Sequence, residues 1–287
     1  MRHAFLIMAH NKWDILIRLL KKLDHVDNSI YLHIDSKSNL SREDEQSIAS
    51  CCKKSDIVFV SRNNVAWGGY SLANCELRLM EIASHKKYDY YHFMSGIDFP
   101  IKPMEYIHKF FVSGNNREYI HFADETSVNN LPERYNQYHF LQEYVGRKSK
   151  GAIAFMERLS LFIQRNVLKI NRSDKYKDLE FKVGSQWCSL THESVTYLLS
   201  KEDEIKRIFK YSSCSDELFV QTMLYNSPLK EKICFDNLRS IDWKRGNPYV
   251  YTKSDYEELL SSRNLFCRKV DDSTMENAEL INKLELL

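Results

Sequence analysis

Along the first hundred residues, apolar positions recur with two alternating periods. Residues 5–9 form a short continuous apolar run, and residues 14–23 repeat apolar side chains at helical spacing. Residues 29–34 read as a second strand, ending at Asp35-Ser36-Lys37. A polar helix over 41–49 follows a Ser start signal, and 57–60 is a third strand. The spacing over 71–84 predicts an amphipathic helix that buries Leu72, Leu77, Leu79, Met80 and Ile82. Residues 88–94 are a fourth strand, running into Ser95-Gly96-Ile97-Asp98-Phe99-Pro100. This alternation predicts an α/β fold with a mostly parallel central sheet flanked by helices. Such sheets bind ligands beyond the carboxyl ends of their strands, where Asp35, Asn64 and Asp98 all stand.

The second half is patterned differently. Residues 124–183 are more polar, with Arg134-Tyr135-Asn136-Gln137-Tyr138-His139 as an aromatic polar cluster. Residues 151–170 predict an amphipathic helix carrying Arg158, Arg165 and Lys169. With Arg147, Lys148 and Lys150 nearby, it suits peripheral contact with the inner face of a membrane; the plainer reading is a surface helix. Strand character returns at 184–189 and helical character at 193–200. Without repeats or a low-complexity linker, the chain reads as one domain over 1–287. Residues 1–123 form its nucleotide-binding half, and 124–287 its acceptor-binding and catalytic half.

Composition narrows the function. The 287 residues are 43% hydrophobic and 28% charged, as in an ordinary globular protein, and no uncharged run is long enough to span a bilayer. A net charge of +2 argues against nucleic acid as a partner. Seven scattered cysteines, with no C-x-x-C pair, read as reduced thiols of a cytoplasmic protein rather than a disulfide framework or zinc site. Seventeen Tyr, fifteen Phe and four Trp supply rings for packing or for stacking on sugars. No Gly-rich dinucleotide or P-loop motif is present.

The candidate chemistry lies late in the chain. Ser213-Cys214-Ser215-Asp216-Glu217 opens an apolar helical run, with Asp216 spaced for a capping box with Ser213. Lys244-Arg245 follows Trp243, and Arg268-Lys269 follows Leu265-Phe266-Cys267. A carboxylate at a helix start can deprotonate a hydroxyl, and fixed cations can hold a departing diphosphate. The plainer reading of these residues is a capped helix and solvated surface charge.

A series of motifs then lines up in order. These are Ala4-Phe-Leu-Ile-Met-Ala-His-Asn11, Tyr31-Leu-His-Ile-Asp-Ser-Lys37, Val65-Ala-Trp-Gly-Gly-Tyr-Ser71 and Tyr91-His-Phe-Met-Ser-Gly-Ile-Asp-Phe-Pro-Ile101. Gly184-Ser-Gln-Trp187, residues 213–222, Leu238-Arg-Ser-Ile-Asp-Trp243 and Leu265-Phe-Cys-Arg-Lys269 complete the set. Through them the chain resembles the core-2/I-branching β-1,6-N-acetylglucosaminyltransferases and the related peptide O-xylosyltransferases, as a bacterial member. The resemblance implies a GT-A-like nucleotide-diphospho-sugar transferase fold. It also implies inverting, metal-independent transfer from a UDP-sugar to a hydroxyl of a glycan or lipid-linked oligosaccharide, with no cofactor and no metal ligands. GlcNAc is the first donor sugar to consider, with UDP-xylose, UDP-glucose or a non-catalytic sugar-binding protein as alternatives.

The resemblance also assigns residues. Glu217 matches the catalytic base, Asp35 the acid at the donor's uridine, and Lys269 the lysine that contacts the diphosphate. His10 lies at the neighbouring strand end, and Arg245, with Lys244 beside it, is the candidate second cation. From the residues themselves, Trp243, Asp98 and Trp187 are candidates for the acceptor side, with a structural role the alternative for Asp98. Trp67 is a further ring that could stack on sugar, core packing being the plainer reading of a tryptophan. Lys37 stands where a metal-binding D-x-D would have its second acid, and a lysine disfavours a divalent ion.

Overall fold

The computed structural model describes residues 1–114, 116–124, 131–146 and 150–287. In chain order the elements are β1 (His3–Ala9), α1 (Trp13–Lys22), β2 (Asn28–Ile34), α2 (Arg42–Ala49), β3 (Asp56–Val60), α3 (Tyr70–Ser84), β4 (Tyr90–Ser95), β5 (Asp98–Pro100) and α4 (Met104–Ser113). Next come β6 (Glu118–Tyr119), α5 (Leu131–Asn136), α6 (Gln142–Val145), α7 (Ala152–Asn166), β7 (Ser189–Thr191), α8 (His192–Ser200) and α9 (Glu202–Phe209). The chain ends with α10 (Phe219–Tyr225), β8 (Ile233–Cys234), β9 (Arg239–Ile241), α11 (Tyr256–Ser261), β10 (Phe266–Arg268) and α12 (Met275–Glu285).

The main sheet has the order β3-β2-β1-β4-β7-β6-β8, and β7 alone runs against its neighbours. Every residue of β1 is buried. Its side chains alternate, with Ala4, Leu6 and Met8 in one core and Phe5, Ile7 and Ala9 in the other. The first core is closed by α3, α8, α9 and α10, the second by α1, α4 and α12. This is the mostly parallel sheet covered on both faces that the apolar pattern predicts. The expected face of α3 shifts, however: Leu77, Leu79 and Met80 are buried, Leu72 and Ile82 only partly, and Glu76 is buried among them.

A second sheet of three short strands, β5-β10-β9, sits at the carboxyl edge of the first. Strand β10 pairs antiparallel with β5 and parallel with β9, so Asp98, Arg268 and Ile241 lie in register. Two strands from the last fifty residues thus complete a sheet begun at residue 98, and the two sequence halves interlock there. Arg239 joins the two sheets. Its Nη2 donates to the carbonyls of Phe93 (3.3 Å) and Cys188 (2.7 Å), and its Nη1 to Ser189 Oγ (2.8 Å) and the Asn237 carbonyl. The guanidinium lies over the Phe266 ring at 5.1 Å and is buried.

Removing that guanidinium takes a donor from buried carbonyls, at a cost of about 1–3 kcal/mol for each one left unpaired. Arg239→Met is expected to destabilise the fold by about 3 kcal/mol or more, measured as a shift in the urea unfolding midpoint. A midpoint equal to the wild type would show that the sheets hold together without it.

Candidate active site

One rim of the candidate site forms where β1, β2 and β4 end together. Ala9 pairs with Ile34 and Met8 with Ser95, which sets His10, Asp35 and the 96–98 turn along one rim. Asp35 N–H donates to the Ala9 carbonyl, and Gly96 N–H to that of Met8, each at 3.0 Å. The Asp35 carboxylate accepts from Lys37 N–H at 2.9 Å and lies 3.6 Å from the Lys37 ammonium, which also donates to the Val65 carbonyl. The position of a second metal-binding acid therefore holds a cation folded back on Asp35. His10 is exposed on the same rim.

Lys269 reaches this edge through the small sheet. Val270 N–H donates to the Ile97 carbonyl at 3.0 Å, and Lys12 pairs with Asp271 and Asp272 at 2.9 and 2.8 Å. Among the described residues no carboxylate pairs with the Lys269 ammonium. Its neighbour Arg268 is consumed structurally, bound to Asp98 Oδ1 at 2.7 Å and lying over the Trp187 ring at 4.5 Å. Asp98 also accepts from Ser95 N–H and Oγ and is 1% exposed. Trp187 is 8% exposed. These two acceptor-side candidates are therefore drawn into the core, because Asp98 and Trp187 together fix the strand that presents Lys269.

Trp243 behaves differently, with 63% of its surface exposed. Since β9 and β10 are parallel, Trp243 and Lys244 leave the small sheet at the same end as Lys269. Arg245 departs from expectation as a diphosphate cation. Its guanidinium is shared among Asp242, Asp255 (2.6 Å) and Glu258 (3.1 Å), and it lies 4.4 Å over Tyr249. Those acids already offset its charge, whereas the exposed Lys244 side chain has no such partner among the described residues. Trp67 is half exposed, and its carbonyl accepts from Gln142 Nε2 at 3.2 Å.

Glu217 sits on a 3₁₀ turn, Ser215–Glu217, just before α10. The expected capping box is absent: the turn carries no side-chain cap, and Asp216 Oδ1 has no partner. The turn is instead held from outside. Cys214 N–H donates to the Gly68 carbonyl at 2.8 Å, and Gly184 N–H to the Glu217 carbonyl at 2.9 Å. Gly68 adopts a φ of +70°, open to glycine, and a Cβ on Gly184 would lie 1.8 Å from the His121 carbonyl oxygen. Two of the quoted motifs thus owe their glycines to close packing around this turn.

Three carboxyls gather there in unequal states. Glu76, from the buried face of α3, has its carboxyl pushed well above the usual range by burial and then by Asp216, although Gln186 donates to it at 3.1 Å. Asp216 is pushed up to about 8, first by burial and then by the Glu217 charge. Burial therefore favours the uncharged form of both. Glu217 is the open member of the group, its side chain 37% exposed and its Oε2 bonded to Arg134 Nη1 at 2.6 Å. Oε1, with no hydrogen bond among the described residues, is left to accept a proton. Gly184 to Trp187 connects the two parts of the site: Gly184 holds Glu217, Gln186 holds Glu76, and Trp187 lies under Arg268 beside Lys269.

Sequence reasoning missed Arg134 and Glu76. The signal for Glu76 was a charged residue on an apolar helical face; for Arg134 there was only its place in a polar aromatic cluster. One further group has metal-ligand geometry, His25, Asp27 and His108. It lies at the amino end of β2, roughly 20 Å from Asp35 by strand rise, outside this site.

Comparison with known proteins adds the family. A sequence profile described as Core-2/I-Branching enzyme matches residues 3–262. The chain belongs to the Core-2/I-branching enzyme family. A xylosyltransferase of Ciona intestinalis is 24% identical over 99% of this chain and 34% of its own length. Xylosyltransferase 2 of Rattus norvegicus is 26% identical over 85% of the chain and 27% of its own length. The chain thus spans about a third of the curated relatives it matches. Among solved structures, mouse xyloside xylosyltransferase 1 (10% identity, TM-score 0.40) covers 92% of the chain and 97% of its own. Core-mannan synthase A of Aspergillus fumigatus (13%, TM-score 0.43) covers 80% and 71%. The fold of this family member is a mixed α/β one, with a mostly parallel central sheet flanked by helices. Among the described residues, no helix is long and apolar enough to cross a membrane.

The state of Asp216 has a thermodynamic signature. A carboxyl whose folded pKa is raised from 3.8 to about 8 contributes stability that is full below about pH 4 and lost as pH rises to 8. Asp216→Asn, which cannot ionise, is expected to gain on the wild type across that window by a few kcal/mol at most. Melting temperatures of both proteins from about pH 4.5 to about pH 8.5 check it. Parallel curves would mean that Asp216 is not held neutral.

Proposed function

We propose that the chain is an inverting glycosyltransferase that moves a sugar from a UDP donor to a hydroxyl of a glycan acceptor. The observation that carries this reading is Glu217, a partly exposed carboxylate with one oxygen fixed by Arg134 and the other open, beside two buried acids whose uncharged forms burial favours. As the acceptor oxygen attacks the anomeric carbon, its proton passes to Glu217 Oε1. The bond to UDP breaks on the opposite face, and the diphosphate leaves with its electron pair. Asp35 and His10 serve the nucleoside end. Lys269 faces the diphosphate, with Lys244 rather than Arg245 as the second cation. The lysine at position 37 supports a reaction without a divalent ion. Trp243 offers the acceptor its ring.

Family membership supports GlcNAc as the first donor to test. UDP-xylose is the second reading, favoured by relatives named as xylosyltransferases. The acceptor is a precursor of a bacterial surface polysaccharide or a lipid-linked oligosaccharide, met by the enzyme in the cytoplasm. A panel of UDP-sugars, followed by hydrolysis or transfer, separates the donors; binding of UDP with turnover of none would favour a sugar-binding protein.

Glu217→Gln should fold, bind UDP normally and lose at least about a hundredfold in transfer, while the wild type keeps its activity in excess EDTA. Near-normal turnover in the variant, or activity abolished by chelation and restored by manganese, would sink the base or the metal-free step respectively.

Lys269→Ala should weaken UDP by about tenfold and uridine hardly at all, since one charge-assisted contact is lost. Arg245→Ala should instead lower the melting temperature and leave UDP affinity close to the wild type, because its partners are Asp242, Asp255 and Glu258. Calorimetric titration with both ligands reads these out. Equal losses for uridine and UDP in the Lys269 variant would remove it from the diphosphate.

A further inference from the structure

Helix α7 is built inside out. Its buried positions are Ala154, Glu157 and Gln164. Glu157 Oε2 accepts from Leu141 N–H at 3.0 Å, and Gln164 bonds both the N–H (2.7 Å) and the carbonyl (2.9 Å) of Tyr138. The outward residues are Ile153, Phe155, Met156, Leu159, Phe162 and Ile163, all exposed, Phe155 by 60% and Phe162 by 56%. At about 100° per residue, the five from Phe155 onward fall within roughly 120° of the helix circumference. A surface helix of a soluble domain shows the opposite pattern, and a contiguous apolar face of this kind marks an interaction surface. The face continues into Val167 and Leu168, both exposed.

The charges identify the occupant. Every charged side chain that α7 exposes is basic: Arg158 and Arg165 stand one above the other along one edge of the apolar face. Lys150 precedes the helix and Lys169 follows it, both exposed. Arg165 is paired with Glu133, whereas Arg158 has no carboxylate partner among the described residues. The two arginines line a cavity of about 290 Å³ with Glu133, Gln137, His139 and Phe162. A second copy of the chain would bring this basic edge against itself, since a two-fold interface apposes the same patch on both sides. An anionic bilayer offers apolar depth for the rings and negative headgroups for the flanking cations. At 15 residues, α7 is too short to span the bilayer and fits the interfacial plane.

We infer that α7 seats this protein on an anionic phospholipid surface. The hydrogen bonds to Tyr138 and Leu141 tie it to the segment after α5, which carries Arg134 and through it Glu217. The seat and the base therefore share one body, and a lipid-linked acceptor would meet Glu217 at the bilayer. That last step rests on the transfer reading above; the docking rests on α7 alone.

Flotation with vesicles of phosphatidylglycerol and phosphatidylethanolamine, against vesicles of phosphatidylcholine alone, tests the docking. The wild type is expected to float with the anionic vesicles only, and less at high salt. The Phe155→Ser, Phe162→Ser double variant is expected to float at least about tenfold less, with its melting temperature and its stabilisation by UDP unchanged. A wild type that stays behind with both vesicles would overturn the inference. So would a wild-type dimer in sedimentation that the double variant turns into a monomer, since the face would then serve self-association. Absence of UDP binding in the wild type would count against the transfer reading alone, so the two failures are distinguishable.

Discussion

One buried guanidinium holds the two sheets together, and the site depends on that joint. Arg239 stands on the small sheet and donates to carbonyls on both sides of the β4–β7 seam of the large one. Burying a charge among carbonyls is unfavourable unless its donors find acceptors, and burial lowers this side chain's pKa to about 10. Four hydrogen bonds from its two terminal nitrogens meet most of that demand, with Nε unpartnered among the described residues, and they fix where β9 and β10 lie. Lys269, Trp243 and Lys244 leave from those strands, while His10 and Asp35 leave from the large sheet. Without a rigid joint, the two groups would have no defined spacing from one another.

The carboxyl cluster divides its protons by burial. Asp216 and Glu217 are adjacent in sequence and chemically similar, yet one is enclosed and the other open. Enclosure favours the uncharged form of Asp216, as it does of Glu76, so negative charge concentrates on the open side where an acceptor hydroxyl would arrive. Arg134 offsets that charge through one oxygen and leaves the other open. Two neighbours biased towards the uncharged form and one anion suit a single base better than three competing anions would.

Local pattern carried most of the element boundaries, because apolar period depends only on neighbouring residues. Strands β1 and β2 and helices α1 to α3 fall within about two residues of where hydrophobicity places them. The Gly184 motif reads less well: its strand covers only Ser189–Thr191, since residues 184–187 serve side-chain contacts rather than a ladder. Helix α7 was predicted amphipathic, and it is, but hydrophobicity cannot say which face points inward. The hydrogen bonds of Glu157 and Gln164 turned the polar stripe toward the protein.

The amino-acid sequence by itself therefore determined the layer architecture, the binding edge beyond the strand ends, and the candidacy of Glu217, Asp35 and Lys269. Period, chain order and motif spacing are properties of one dimension. The tertiary structure alone decided which charges remain available. It bound Arg245 to three acids from separate turns, and it drew Asp98 and Trp187 beneath Arg268. It also paired Arg134 with a glutamate 83 positions away. Ion pairing and burial depend on distances through space, for Arg268 and Arg134 between segments far apart in the chain, which spacing along the chain does not contain.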